Sequence, residues 1–246
     1  MALRGFFITG TGTGVGKTAV AAALLFLLNN KGIRSAPVKP VQTGVSPGEK
    51  GDLDLCLKTA GLNPAPEELK LMCPYRFSLP GSPHLAAEEE GVVIDLSNIV
   101  RACQVLSSSY MALVVEGAGG ILVPLTRRLT TLDLIRELDL PLIITARAGL
   151  GTINHTLLTL ETASRADVKT TAVVLNHPEP VNKVPVLNKI ETDNRKIIQE
   201  LGWVPVWEAL PHIPGAGERP EPTRELAGHL ACAGAEELIK KFFQDA

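Results

Sequence analysis

The 246-residue sequence predicts an α/β fold in which a mostly parallel sheet carries helices on both faces. Three observations lead there. Strand-like apolar runs alternate with helical segments from end to end. The strand-like runs lack the period-two alternation of a half-exposed strand, as expected where both faces of a parallel sheet are covered. The first strand also passes through a glycine-rich turn straight into a helix. No linker or internal repeat divides the chain, so residues 1–246 read as one domain.

Leu3–Thr9, rich in Phe and Ile, forms the first strand, and Ala19–Asn30, free of Gly and Pro, the first helix, ended by Gly32. Between them lies Gly10-Thr-Gly-Thr-Gly-Val-Gly-Lys-Thr18. Strand, glycine-rich turn and helix with Gly-Lys-Thr at its mouth is the context of a P-loop, and the fold is expected to be P-loop NTPase-like. Glycines let backbone N–H groups turn inward around phosphate oxygens, and the helix N-terminus adds free donors and the positive end of its dipole. Gly14, Val15, Gly16, Lys17, Thr18 and Ala19 are therefore candidate ATP-binding residues. Lys17 supplies a point charge to the terminal phosphates, and the Thr18 hydroxyl suits Mg²⁺. The loop is a variant. Five residues separate Gly10 from Gly16-Lys17 where the usual pattern has four, and Thr11 stands at the usual first glycine.

Arg34–Val38 makes a second strand that runs into Lys39-Pro40-Val41-Gln42-Thr43-Gly44. Pro40 biases Lys39 toward an extended backbone, giving its side chain a defined exit from the strand end. Asp52-Leu-Asp54 opens a helix to about Ala60, and an aspartate there can cap the helix or serve the site. Residues 61–95 are expected to be loops around short helices, with Glu88-Glu89-Glu90 on a solvated face. A helix over Leu96–Ser107 leads to a strand over Tyr110–Val115, ending at Glu116. The abrupt carboxylate, followed by Gly117, Ala118, Gly119 and Gly120, suits close approach of a phosphate or metal.

Leu140–Ala146 and Val168–Leu175 are further strands, separated by a turn at Arg147–His155 and a helix to about Ala166. Asn176-His177-Pro178 ends the second of them. A helix over Lys189–Leu201, a strand over Trp203–Trp207, a loop over 211–222 and a helix over Ala235–Gln244 complete the chain. In an open parallel sheet ligands bind outside the carboxyl ends of the strands. Lys17, Thr18, Lys39, Glu116, Thr152, Asn154 and Asn176 all fall there. Thr18, Glu116 and one aspartate would offer Mg²⁺ the oxygen ligands it prefers.

The bulk properties restrict the function. With 24 basic and 26 acidic residues interspersed, the chain has no footprint for nucleic acid. Its apolar runs are too short to span a bilayer, so no membrane partner is expected. Four scattered cysteines without a CxxC pair, and no signal-peptide pattern, lead us to expect reduced thiols and a cytoplasmic location.

The blocks GTGTGVGKT, VKPVQTG, VVEGAGG and GLGTINHTLLT, in this order, resemble dethiobiotin synthetase from Phe6 to at least Pro178. VEGAGG alone is also similar to the cobyrinate amidating synthases, which would need a glutaminase domain for which this length leaves no room. Partition ATPases, the other alternative, carry a second loop lysine where this chain has Gly12. The resemblance implies an ATP-dependent cyclo-ligase that joins 7,8-diaminononanoate and CO₂ into dethiobiotin, releasing ADP and phosphate, with Mg²⁺ as cofactor. It implies catalytic roles for Lys17 and Lys39, and Mg²⁺ held by Thr18, Glu116 and Asp52, the last preferred over Asp54. Thr13, Lys39 and Thr43 would meet the diamine or its carbamate. Gly151, Thr152 and Asn154, contributed by the partner of a homodimer, would receive the substrate's tail carboxylate. Gly117, Ala118 and Gly119 would also meet ATP, with Asn176, His177, Leu210, Pro211 and His212 around the adenine. Some members carry a lysine where this chain has Gly149, a role that Arg147 is placed to take over.

Overall fold

A computed structural model describes residues 3–46, 48–180 and 185–244. Its main sheet has six strands in the order β2-β5-β1-β6-β7-β8. These are β1 (Gly5–Gly10), β2 (Ser35–Val38), β5 (Ala112–Gly120), β6 (Leu142–Arg147), β7 (Thr170–Asn176) and β8 (Val206–Leu210), and every pairing is parallel. The expectation of a buried parallel sheet holds. Successive β1 residues show why period-two alternation was absent: Phe7 faces one apolar core and Phe6 and Ile8 the other, all of them wholly buried. Helices α1 (Lys17–Asn30), α9 (Pro220–Leu230) and α10 (Glu236–Phe243) pack on the Phe6 face. On the Phe7 face lie α3 (Pro66–Met72), α4 (Pro83–Glu89), α5 (Leu96–Leu106), α6 (Thr131–Leu138), α7 (Thr152–Arg165) and α8 (Pro185–Gly202). Helix α2 (Asp52–Ala60) feeds both cores, Leu53 and Leu57 to one, Leu55 and Cys56 to the other.

Four local expectations change. Strand β5 does not stop at Glu116 but continues to Gly120, with Ile8 opposite Glu116 and Gly10 opposite Gly120. The last strand begins at Val206, three residues beyond Trp203, whose backbone is left-handed (φ 51°) and whose side chain is 93% exposed. A second small sheet joins the Lys39–Gly44 segment to the expected loop region, β3 (Val41–Gln42) parallel to β4 (Tyr75–Arg76). The expected 211–222 loop gives way at Pro220, which opens α9 at a position where its missing N–H costs no helical bond.

Register brings the suggestive residues to one edge. Val38 pairs with Val115, so Lys39, just past the end of β2, stands beside Glu116 within β5, while Gly10 pairs with Thr145 and Gly120 at the start of the glycine-rich turn. The chain leaves β1 toward β2 on one side of the sheet and later returns through β6 on the other, the arrangement that opens a crevice at strand ends.

Candidate active site

The crevice is a cleft of about 820 Å³ over the carboxyl ends of β1, β2, β5 and β7. The glycine-rich turn forms its floor. Gly14 and Gly16 have φ of 71° and 93°, and a Cβ on Gly16 would stand 2.1 Å from Asn176 Nδ2, so only glycine fits there. Lys17 Nζ curls back to donate to the Gly12 carbonyl at 2.9 Å, and Asn176 Nδ2 donates to the Val15 carbonyl at 3.0 Å. The loop is thus braced from both sides.

Against it stands a compact cluster of charge. Lys39 Nζ lies 2.7 Å from Glu116 Oε1 and 2.7 Å from Asp52 Oδ2, and the Thr18 hydroxyl donates to Glu116 Oε1 at 2.8 Å. Burial works against the charge on Lys39, but Glu116 and then Asp52 outweigh it and hold the ammonium above the usual lysine range. Burial likewise opposes ionisation of Asp52. The Lys39 charge, with hydrogen bonds from Lys39, Thr18 and Gln42, brings its carboxyl below the usual range. Burial lifts the Glu116 carboxyl even against Lys39, and lowers Lys17 more than Glu116 restores it. Two short donors on one Glu116 oxygen nonetheless mark it as the ionised partner of Lys39.

Asp52 and Asp54, equivalent in the sequence, separate here. Asp54 Oδ2 accepts the Gly51 N–H at 2.8 Å and caps its own helix, whereas Asp52 turns into the cleft. Thr13, Thr43, Ala19, Ala118 and Gly119 also line the cleft, as do His177, Pro211 and His212 at its far end. Three expected residues do not. Val15 and Leu210 bury their side chains in the interior, and Leu210 meets the region only through its carbonyl, which accepts the His177 N–H at 3.2 Å. Gly117 is backed by Phe7, whose ring a Cβ would meet at 3.0 Å, so packing by itself already favours glycine there.

Gly151, Thr152 and Asn154 are also absent from the cleft of their own chain. They open α7, with Thr152 buried against Thr156 and Asn154 exposed beside a separate apolar depression that reaches Trp203. Arg147 is paired with Glu179 at 3.0 Å. Residues that the sequence reading missed include Gln42, whose amide reaches Asp52, and Pro80–Pro83, which wall the cleft opposite the glycine-rich turn. Their signal was a long-range one, the β3–β4 pairing, which no local pattern announces. Glu191 was missed as well; its Oε1 lies 3.0 Å from His177 Nε2.

Asp52 and Glu116 already hold a cation, the Lys39 ammonium, with the Thr18 hydroxyl bonded to Glu116, and such hard oxygen ligands fit Mg²⁺. Among the described residues no group of three or more His, Cys, Asp or Glu gathers to hold a metal, so this site would offer two carboxylates and a hydroxyl. Two carboxylates and a hydroxyl are what an ion shared with phosphates requires.

This glycine-rich loop at a strand-to-helix turn, with a lysine and a carboxylate facing it, defines a P-loop protein that handles nucleoside triphosphate. The family described as "AAA domain" matches residues 4–219. Solved structures of similar fold include the MinC:MinD cell division protein complex of Aquifex aeolicus, with TM-score 0.62 at 15% identity, covering 96% of each chain. The ParA family ATPase of Chlorobium tepidum aligns with TM-score 0.55 at 18% identity over 99% of this chain and 98% of its own. At such identities these show the fold alone. Sequence relatives go further. The ATP-dependent dethiobiotin synthetase of Anaeromyxobacter dehalogenans is 43% identical over 208 residues, 82% of this chain and 92% of its own. That of Bacillus cereus is 34% identical over 239 residues, 97% and 96% of the two chains, and that of Anoxybacillus flavithermus 39% over 216 residues, 86% and 93%. The chain belongs to the dethiobiotin synthetase family.

Proposed function

We propose that the chain, working as one domain, carries out ATP-dependent carboxylation and ring closure of 7,8-diaminononanoate to dethiobiotin, a step of biotin biosynthesis. The observation that carries this reading is Lys39. Its ammonium stands beside the phosphate loop but belongs to a separate strand, so the cleft has a second anion-facing cation besides Lys17.

The chemistry follows from charge. An amine of the substrate adds to CO₂ and loses a proton, giving a carbamate. A carbamate oxygen attacks the γ-phosphorus in line, the bond to ADP breaks, and a carbamic–phosphoric anhydride forms. The second amine attacks the carbonyl, closes the ureido ring and expels phosphate. Carbamate and γ-phosphate are both anions, and Lys17 and Lys39, which line one cleft, would offset their repulsion and stabilise charge on the transferring group. Thr13 and Thr43 line the same wall and can hydrogen-bond the amine or carbamate, which fixes the attack geometry. Mg²⁺ held by Thr18, Asp52 and Glu116 would neutralise phosphate charge when bound. Asn176, His177, Pro211 and His212 line the far end of the cleft, which supports reading them as the adenine contacts.

The position of α7 supports a homodimer. Gly151, Thr152 and Asn154 lie off their own cleft, Leu150 beside them is fully exposed, and the α7 N-terminus is a natural carboxylate site. No described helix is long and apolar enough to cross a membrane, and all four cysteines are free, which suits work in the reducing cytoplasm. The test is an assay of purified protein with diaminononanoate, bicarbonate and MgATP, following dethiobiotin by mass spectrometry. We expect product in step with ADP. Nucleotide binding without any product would point instead to a P-loop switch or partition ATPase.

A further inference from the structure

We infer that the Ser82 hydroxyl takes the proton shed by the ring-closing amine and hands its own to the His84 imidazole. The inference rests on the ligase reading and supplies what that reading leaves unassigned, an acceptor for this proton.

Ser82 lies in the Pro80–Pro83 wall of the cleft and stands at the N-cap of α4. A serine at that position ordinarily accepts a main-chain N–H of the first turn. Ser82 makes no such bond. The His84 N–H, in that first turn, goes to the Pro124 carbonyl at 3.3 Å. The Ser82 hydroxyl turns to the His84 ring, with Oγ 3.0 Å from Nδ1. A hydroxyl has one proton to donate and lone pairs with which to accept, and a neutral imidazole has one bare nitrogen. When Ser82 donates to Nδ1, its lone pairs remain for an N–H in the cleft.

A second observation sets this wall beside the diamine. The Gly44 N–H donates to the Leu79 carbonyl at 3.0 Å, and a Cβ on Gly44 would stand 3.2 Å from Pro80 Cβ. The wall therefore packs directly on the Thr43-Gly44 segment, whose threonine the ligase reading gives to the diamine or its carbamate. The carbamate must reach the γ-phosphate, which the glycine-rich turn would hold. The second amine, on the neighbouring carbon, then falls toward the opposite wall, where Ser82 is.

The step balances. The amine lone pair forms the second C–N bond of the ureido ring. The bond from the carbonyl carbon to the phosphate oxygen breaks, and its electron pair leaves with phosphate. The amine proton passes to Ser82 Oγ as the hydroxyl proton passes to His84 Nδ1. His84 is half-buried, so the imidazolium can return its proton to water.

The test is a rapid-quench single turnover with diamine, bicarbonate and MgATP, counting ADP and dethiobiotin in the same samples. In the wild type the two should appear in step. In Ser82→Ala and in His84→Gln we expect ADP at the wild-type rate and dethiobiotin about 10²-fold slower, the usual scale of a proton-transfer contribution. Ser82→Ala removes no helix cap, so it should melt near the wild-type temperature and bind MgATP as tightly. Added imidazole should speed dethiobiotin formation in His84→Ala. Dethiobiotin in step with ADP at the wild-type rate, in Ser82→Ala or His84→Gln, would overturn the inference. So would an equal slowing of both products, the mark of a merely structural role, or a His84→Ala variant that imidazole does not speed. A wild type that binds MgATP and makes no dethiobiotin would overturn the ligase reading itself, and this inference with it.

Discussion

Lys39 Nζ and Glu116 Oε1 are 2.7 Å apart, joined across neighbouring strands β2 and β5, with both residues at most 5% exposed. A pair so buried stands only with its remaining partners satisfied. Asp52 provides the second acceptor for Lys39, and Thr18 the second donor to Glu116. Two ammonium groups, Lys17 and Lys39, thus face two carboxylates, Asp52 and Glu116, and the cluster is neutral.

Removing the Lys39 ammonium should separate binding from turnover. Lys39→Ala retains the glycine-rich loop and is expected to bind MgATP, while dethiobiotin formation falls on the order of 10²-fold or more. Equilibrium nucleotide binding and steady-state turnover, measured on the same preparation, check this. Turnover near the wild-type rate would remove Lys39 from the mechanism.

Glu116→Gln keeps the shape of the side chain and removes its charge. The variant should need a higher Mg²⁺ concentration for half-maximal rate, because one of the two carboxylates around the cation is lost. The measurement is a magnesium titration at saturating ATP. Superimposable curves for variant and wild type would count against Glu116 as a ligand.

If α7 serves the partner's cleft, two defects on different chains should complement. Lys39→Ala and Asn154→Asp, each inactive alone, are expected after mixing and exchange to recover roughly a quarter of wild-type activity, the share of sites that receive both intact segments. No recovery from a mixture shown to contain heterodimers would argue for sites built within one chain.

The buried thiols set the alkaline limit. Burial pushes Cys103 up to about 12 and Cys73 up to about 11, from an ordinary 9.0, and raises Cys56 well above that value. The folded state therefore keeps these protons where the unfolded chain releases them. The stabilisation is complete below about pH 9 and is lost as pH rises through the folded values, at most about 1.4 kcal/mol per pH unit for each thiol. Urea titrations between pH 8 and pH 10.5 should show stability falling with pH, and less steeply in Cys103→Ala. Equal slopes would mean that Cys103 does not contribute.

The glycine-rich loop, its flanking strand and helix, and the apolar strands were legible because their signals are local: spacing, glycine and unbroken hydrophobic runs. Other elements were missed despite local signals. Asp133 Oδ2 accepts from both the N–H and the hydroxyl of Thr130 at the start of α6, and that Thr-x-x-Asp spacing is present in the sequence. Trp203 drew the last strand too early, because an aromatic beside valines resembles a strand start until its left-handed backbone is known. Glu116 was recognised as a site residue, but the glycines after it suggested a turn where the ladder in fact continues. Gln42 could not have been chosen from the sequence, since its partners lie ten residues away in α2 and across β4.

That continuation of β5 bears on how fast the site can work. A carboxylate on a loop must be frozen into place each time a ligand arrives, at a cost of about 1–2 kcal/mol for each backbone residue ordered. Glu116 sits within a ladder, opposite Ile8, with four more strand residues beyond it. Its main chain gave up that freedom when the protein folded, so successive catalytic cycles begin with this carboxylate already in place.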